Sequence, residues 1–220
     1  MMPLLQRSRS KSNRRRKVQR YRLWLVVCRV LPYFALRANP PVKMDKTEFW
    51  ELIESAKTRA KGNQNLQEQL LISSLAKRSP EQIIEFECIL REYLIAADDF
   101  GILAAQKIID GYVTDDSYLY FRCWLIGEGQ QVYQNALRAP DTLAAVVEEA
   151  YLDFEALLVV ADSAFEECIG QEAEAGSSPR DIALARGLDY DSGSETKGED
   201  WTENQLPKLL PKLWKKFGAA

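Results

Sequence analysis

The chain has no histidine, no closely spaced pair of cysteines and, over its first 43 residues, no aspartate or glutamate. The first absence removes Ser-His-Asp and Cys-His triads, imidazole general bases and every zinc site that needs a histidine ligand. The four cysteines, Cys28, Cys88, Cys123 and Cys168, are far apart and each sits in an apolar stretch. That distribution suits buried thiols in a reducing, cytoplasmic compartment better than a disulfide framework or a four-thiolate metal site. Cys123 has no histidine to take its proton, so it is read as a packing residue. A Gly-rich phosphate loop, a G-x-S-x-G elbow, an H-E-x-x-H helix and the kinase and dinucleotide fingerprints are also missing. These absences predict no resident cofactor and no metal, and they leave no residue to name as catalytic.

The charges are divided along the chain. Residues 1–43 hold twelve of the 29 lysines and arginines, so the rest carries 17 bases against all 32 acids, a net of −15. An acidic domain is ill suited to a phosphate backbone, so no nucleic-acid partner is expected of it. The stretch RSRSKSNRRRKVQRYR has the charge of a nucleic-acid arm but no folded module. The apolar run after it, LWLVVCRVLPYFALRA, is interrupted by Arg29 and Pro32 and is too short to span a bilayer, so no transmembrane segment is expected. Residues 1–43 are read as an N-terminal extension, disordered or translated from a mis-assigned start codon. Residues 44–169 are read as one helical domain, and 170–220 as a loop and a C-terminal segment packing back on it through Trp201 and Trp214.

From Met44 the pattern is helical. Asp45 with Glu48 makes a capping box ahead of the stripe Phe49, Leu52, Ile53, Ala56 and Ala60, and Gly62 ends that helix. A second helix covers about 64–77, burying Leu66, Leu70, Leu71 and Leu75. Ser79-Pro80 opens a third, with proline at the first helical position and apolar residues at helical spacing from Ile83 to Ala97. The fourth, FGILAAQKII, starts at Asp98 or Asp99, is apolar almost all round and closes at Gly111. A short sixth helix runs from Gln130 to Leu137, and 142–169, free of breakers, is read as two more divided near Asp153. The fold class expected is all-α, a single multi-helix bundle of about seven or eight helices. Its C-terminal segment is loosely structured, because Pro207 and Pro211 leave little room for helix.

The fifth helix is the centre of this scheme. TDDSYLYFRCWLIGEG, from Thr114 to Gly129, packs four aromatics and three acids into one stretch. Thr114 is a good N-cap, Asp115 and Asp116 fall in the first turn where the helix dipole favours carboxylates, and Gly129 is the stop. At about 100° per residue, apolar residues cover most of the circumference, which marks an interior helix. Asp116, Cys123 and Gly127 share a narrow arc where another backbone or a ligand has room to approach.

This motif resembles the run SDDxFxxFRxWLIxxG of the domain of unknown function 4240, a mainly bacterial family, through Asp115, Asp116, Phe121, Arg122, Trp124, Leu125, Ile126 and Gly129. Thr114 stands where Ser is usual and Tyr118 where Phe is usual. The opening M-D-x-x-x-F-W-x-L-I-E is similar too, carried by Met44, Asp45, Phe49, Trp50, Leu52, Ile53 and Glu54. The resemblance covers roughly 44–141 well and implies a helical fold, with no particular activity.

The candidate functional cluster is Asp115, Asp116, Arg122, Trp124 and Glu128, with Glu166-Glu167 elsewhere. Neighbouring carboxylates can hold Mg²⁺ or a basic group. The competing reading gives Asp115 and Asp116 to the helix start and makes Arg122 an organiser bonded to Asp115, a loop carbonyl or another helix's carboxylate. Trp50, Trp124 and the tyrosines suit a core or an aromatic pocket. Two functions follow: an acidic interaction or regulatory module with a protein partner, and a metal-assisted hydrolase using carboxylates at the start of the central helix.

Overall fold

The computed structural model describes residues 43–190 and 195–218. These residues form ten α-helices: α1 (Lys46–Ala60), α2 (Gln64–Leu75), α3 (Pro80–Ala96), α4 (Phe100–Asp110), α5 (Asp115–Gly127), α6 (Gln130–Arg138), α7 (Val160–Ile169), α8 (Pro179–Ala185), α9 (Leu206–Leu209) and α10 (Pro211–Phe217). Short 3₁₀ turns lie at Pro140–Ala145, Glu155–Val159 and Glu203–Gln205. Among the described residues there is no strand beyond one isolated bridge, Asp99 to Lys197. The fold is all-α, and its helices outnumber the seven or eight expected because the C-terminal segment adds short ones.

Local chemistry starts these helices where expected. Asp45 accepts the backbone N–H groups of Thr47 and Glu48 while Glu48 returns a bond to the Asp45 N–H, a complete capping box. Ser79 and Gln82 do the same for α3, where Pro80 supplies a fixed φ and no orphan donor. Lys61 and Gly111 end α1 and α4 in the left-handed region.

The α4 and α5 helices are the most buried, as their apolar circumferences lead one to expect, and α3 packs against α5. Phe49 and Trp50 of α1 meet Phe86 and Tyr93 of α3 and Tyr133 of α6, with ring centroids 4.8–5.4 Å apart. Trp50 donates its indole N–H to the Tyr93 hydroxyl at 2.9 Å, so the cluster's polar edge is satisfied inside the core. Leu206, Leu210 and Leu213 are buried in the same core, and Asp141 caps α10 by accepting the Lys212 and Leu213 N–H groups. Pro207 and Pro211 sit in the first turns of α9 and α10, where they start helices rather than break them.

The segment 142–169 departs from the expected pair of helices. It holds the first 3₁₀ turn, an irregular strap from 146 to 154, the second turn, and only then α7. Tyr151 stands at φ 63°, a left-handed conformation that interrupts any helix, and Asp110 Oδ1 holds it by accepting the Tyr151 N–H at 2.6 Å. Three residues on, Phe154 leaves the surface and packs against α5. A Cβ added at Gly127 would lie 2.7 Å from the Phe154 ring, so glycine is what admits the strap. Gly127→Ala is expected to destabilise the chain by about 1–3 kcal/mol through overpacking, against a helix-propensity gain of at most about 1. Urea unfolding measures this, and a more stable variant would show that Phe154 is not seated on α5.

Candidate functional site

Thr114 caps α5 through a reciprocal pair with Ser117, leaving Asp115 and Asp116 exposed in the first turn. Neither forms an ion pair among the described residues. Arg122, on the same helix, is turned the other way and is 5% exposed. Its Nη1 donates to the Leu94 carbonyl at the end of α3 at 3.0 Å, and its guanidinium stands 4.6 Å from the Tyr118 ring centroid. A helix-end carbonyl, not Asp115, is its partner. Its Nε is buried without an acceptor among the described residues. Tyr118 completes this junction, its hydroxyl proton shared between the Asp99 carbonyl at 3.0 Å and the Ala97 carbonyl at 3.2 Å and its oxygen accepting the Asp99 N–H at 3.0 Å. Burial pushes the Tyr118 phenol well above its ordinary range, so it stays a donor.

Trp124 and Glu128 go elsewhere. They line a half-open cleft of about 580 Å³ bounded by the end of α1, the start of α2, the end of α5 and residues 149–154. Lys57 crosses one side, bonding the Glu128 carbonyl at 2.8 Å and its carboxylate at 2.6 Å, while Gln67 donates to the Gly127 carbonyl at 2.9 Å. The last carbonyls of α5 are thus capped by side chains of α1 and α2. The proposed five-residue cluster therefore falls into three places: an exposed helix start, a buried junction and a cleft wall.

The arc of Asp116, Cys123 and Gly127 divides as well. Gly127 meets Phe154 and Gln67, Asp116 faces solvent, and Cys123 is buried with its thiol pushed well up by burial, which keeps it protonated and unreactive. Glu166 and Glu167 are exposed on α7.

Two features were not anticipated from the residues. Glu87 and Arg91, four apart on α3, form a buried ion pair at 2.6 Å. Arg91 also donates to the Leu188 carbonyl at 3.0 Å and stands 4.6 Å from the Tyr190 ring, which ties the segment after α8 to α3. Burial raises the Glu87 pKa and Arg91 opposes it. The i, i+4 spacing was the available signal, and the surrounding apolar run hid it. The other feature is the pair Tyr112 and Tyr151, 52% and 68% exposed, with centroids 6.1 Å apart.

The buried position of Arg122 makes it an organiser. Arg122→Met removes a charge-assisted hydrogen bond and a cation–π contact, and a loss of about 2 kcal/mol is expected. A thermal melt within a degree or two of the parent would contradict that role.

The α1 opening and the α5 motif both lie inside the span that a family comparison recognises. Residues 44–167 match the family described as Protein of unknown function (DUF4240). No curated protein and no solved structure matches the chain. The matched span runs from the capping box of α1 into α7 and covers more than half of the sequence, and the chain belongs to the DUF4240 family.

Proposed function

We propose that the domain is an acidic protein-interaction module, acting in a reducing cytoplasm on a basic protein partner. The observation that carries this reading is the strap from 146 to 154. It displays Glu149 and Asp153 as exposed carboxylates around an exposed Tyr151, while Glu148 pairs with Lys216 at 3.0 Å. An exposed tyrosine is large, apolar along its ring and polar at its tip, the composition that interfaces favour. The strap is pre-shaped: Asp110 holds Tyr151, Gln64 holds the Asp153 carbonyl, and the Phe154 N–H bonds the Tyr120 carbonyl at 3.2 Å. Pre-organisation of this kind lowers the ordering cost of association.

The excess of acids over bases after residue 43 supports a basic partner, since complementary charge raises the encounter rate. The metal-assisted hydrolase has less support. Among the described residues no group of three or more His, Cys, Asp or Glu could hold a metal ion, and Asp115 and Asp116 stand exposed away from the cleft lining. No described helix is long and apolar enough to cross a membrane.

The test is retention of a basic protein from the source cytoplasm on the immobilised full chain. Retention is expected at low salt and release by about 0.3 M salt, where screening shortens the reach of exposed charges. Glu149→Lys with Asp153→Lys should abolish retention, while Glu172→Lys with Glu174→Lys should not. Retention insensitive to salt and to the strap charges would overturn the reading.

A further inference from the structure

We infer that the groove between α3 and α7, which the chain's own segment 179–190 covers, is a recognition site for a partner helix carrying the pattern Arg-x-x-Ala-x-x-Arg. The groove shares no residue with the strap, so the inference goes beyond the interaction reading argued there. The covering segment is held mostly by polar contacts. Arg186 donates to the Glu85 carboxylate at 3.2 Å and to the Cys88 sulfur at 3.0 Å, and Arg91 donates to the Leu188 carbonyl at 3.0 Å. The Arg180 side chain bonds the Leu158 carbonyl at 3.1 Å, and its backbone N–H bonds Asp162 at 3.1 Å. Only Pro179 and Ala183 of the segment are buried, and Ala183 stands outside the continuous core that Leu206, Leu210 and Leu213 enter. A segment with so little apolar burial opens more readily than the core beneath it. The groove's walls lie within the span matched to the family, 44–167, and its cover lies outside that span.

The fit of this cover is incomplete. Glu87 Oε2 and Arg180 Nε are buried atoms, and neither has a hydrogen-bond partner among the described residues. Glu87 is 2% exposed and close enough to Arg180 and Asp162 for their charges to act on it. Arg180 Nε stops 3.7 Å from the Asp162 carboxylate, beyond hydrogen-bond reach. An acceptor and a donor are thus buried in one groove without meeting, each at a cost. A helix seated slightly differently joins them, so the groove takes a better ligand than the segment that covers it. The chemistry of that ligand is written in the occupant. The walls present Glu85, Glu87 and Asp162, opposed by Arg91 at Glu87 and Lys43 at Glu85. Arg180 stands at Asp162 and Arg186 at Glu85, and between them Ala183 is 0% exposed, which leaves no space for a larger side chain. Guanidinium suits half-buried carboxylates better than ammonium does, because it is more weakly hydrated and bonds them in a fork.

The test follows labelling of the full chain by iodoacetamide, read at each cysteine by mass spectrometry. Cys88 bonds Arg186 and is 3% exposed, so it reports opening of the segment, while Cys123 reports unfolding of the core. In the parent, Cys88 is expected to label at least about a hundredfold faster than Cys123, through local opening. Equal rates would show a cover that leaves only with global unfolding, and would overturn the inference. Ala183→Glu is expected to eject the segment and expose Cys88 while the core still melts cooperatively. Should that variant not fold, Arg180→Ala with Arg186→Ala replaces it. A peptide of residues 178–190, acetylated and amidated, should then slow Cys88 labelling in the variant by about tenfold. It should do so below the roughly millimolar effective concentration of the tethered segment, and leave the parent unchanged. The same peptide with Arg180→Gln and Arg186→Gln, or with Ala183→Leu, should bind at least about tenfold more weakly. Failure of the unaltered peptide to protect Cys88, or equal protection by the altered ones, would overturn the inference and leave the strap reading, tested at Glu149 and Asp153, untouched.

Discussion

The structure depends on how α3 ends. This helix ends against the core, where the Ala97 N–H bonds the Tyr93 carbonyl at 3.0 Å and the Asp98 N–H the Ile95 carbonyl at 3.4 Å, while the Leu94 and Ala97 carbonyls take their partners from elsewhere in the chain. The Tyr93 carbonyl accepts the Tyr133 hydroxyl at 2.7 Å, the Leu94 carbonyl accepts Arg122 at 3.0 Å, the Ile95 carbonyl accepts Lys197 at 2.8 Å and the Ala97 carbonyl accepts Tyr118 at 3.2 Å. Leaving the buried Leu94 carbonyl unsatisfied would cost on the order of 1–3 kcal/mol, and three separate segments meet at this one helix end. The polar residues of α5 follow from this need: a helix that is otherwise apolar carries Tyr118 and Arg122 because they cap its neighbour.

The same device recurs at the end of α5 and has a different result. Lys57 and Gln67 reach from α1 and α2 to the Glu128 and Gly127 carbonyls, and long polar side chains at a helix end do not close the space as apolar ones would. A cleft remains beside them, and the strap forms its outer wall only because Gly127 admits Phe154. Packing and candidate binding surface are therefore coupled through one glycine.

Helix starts were legible in the residues because their chemistry is local. Asp45, Ser79 and Thr114 find their bonding partners within three residues, and a reader of the sequence sees both halves of each cap. The interior character of α5 was equally legible from its apolar circumference. The partner of Arg122 was not, because a carbonyl donates no signal to the sequence and Leu94 lies 28 positions away. The strap was missed for a related reason: 146–154 contains neither glycine nor proline, and its break from helix rests on Asp110, 41 positions before Tyr151. Of the five candidate residues, Trp124 and Glu128 share the cleft, while the motif that named all five reports mainly on how α5 is built and capped.

The most direct test of this account removes one atom from the α3 junction. Tyr118→Phe keeps the ring under the Arg122 guanidinium and deletes only the hydroxyl that serves the Ala97 and Asp99 carbonyls and the Asp99 N–H. Equilibrium urea unfolding is predicted to show a loss of about 1–3 kcal/mol with an unchanged slope. A loss below about 0.5 kcal/mol, the range of an ordinary surface substitution, would contradict the claim that the end of α3 organises the fold.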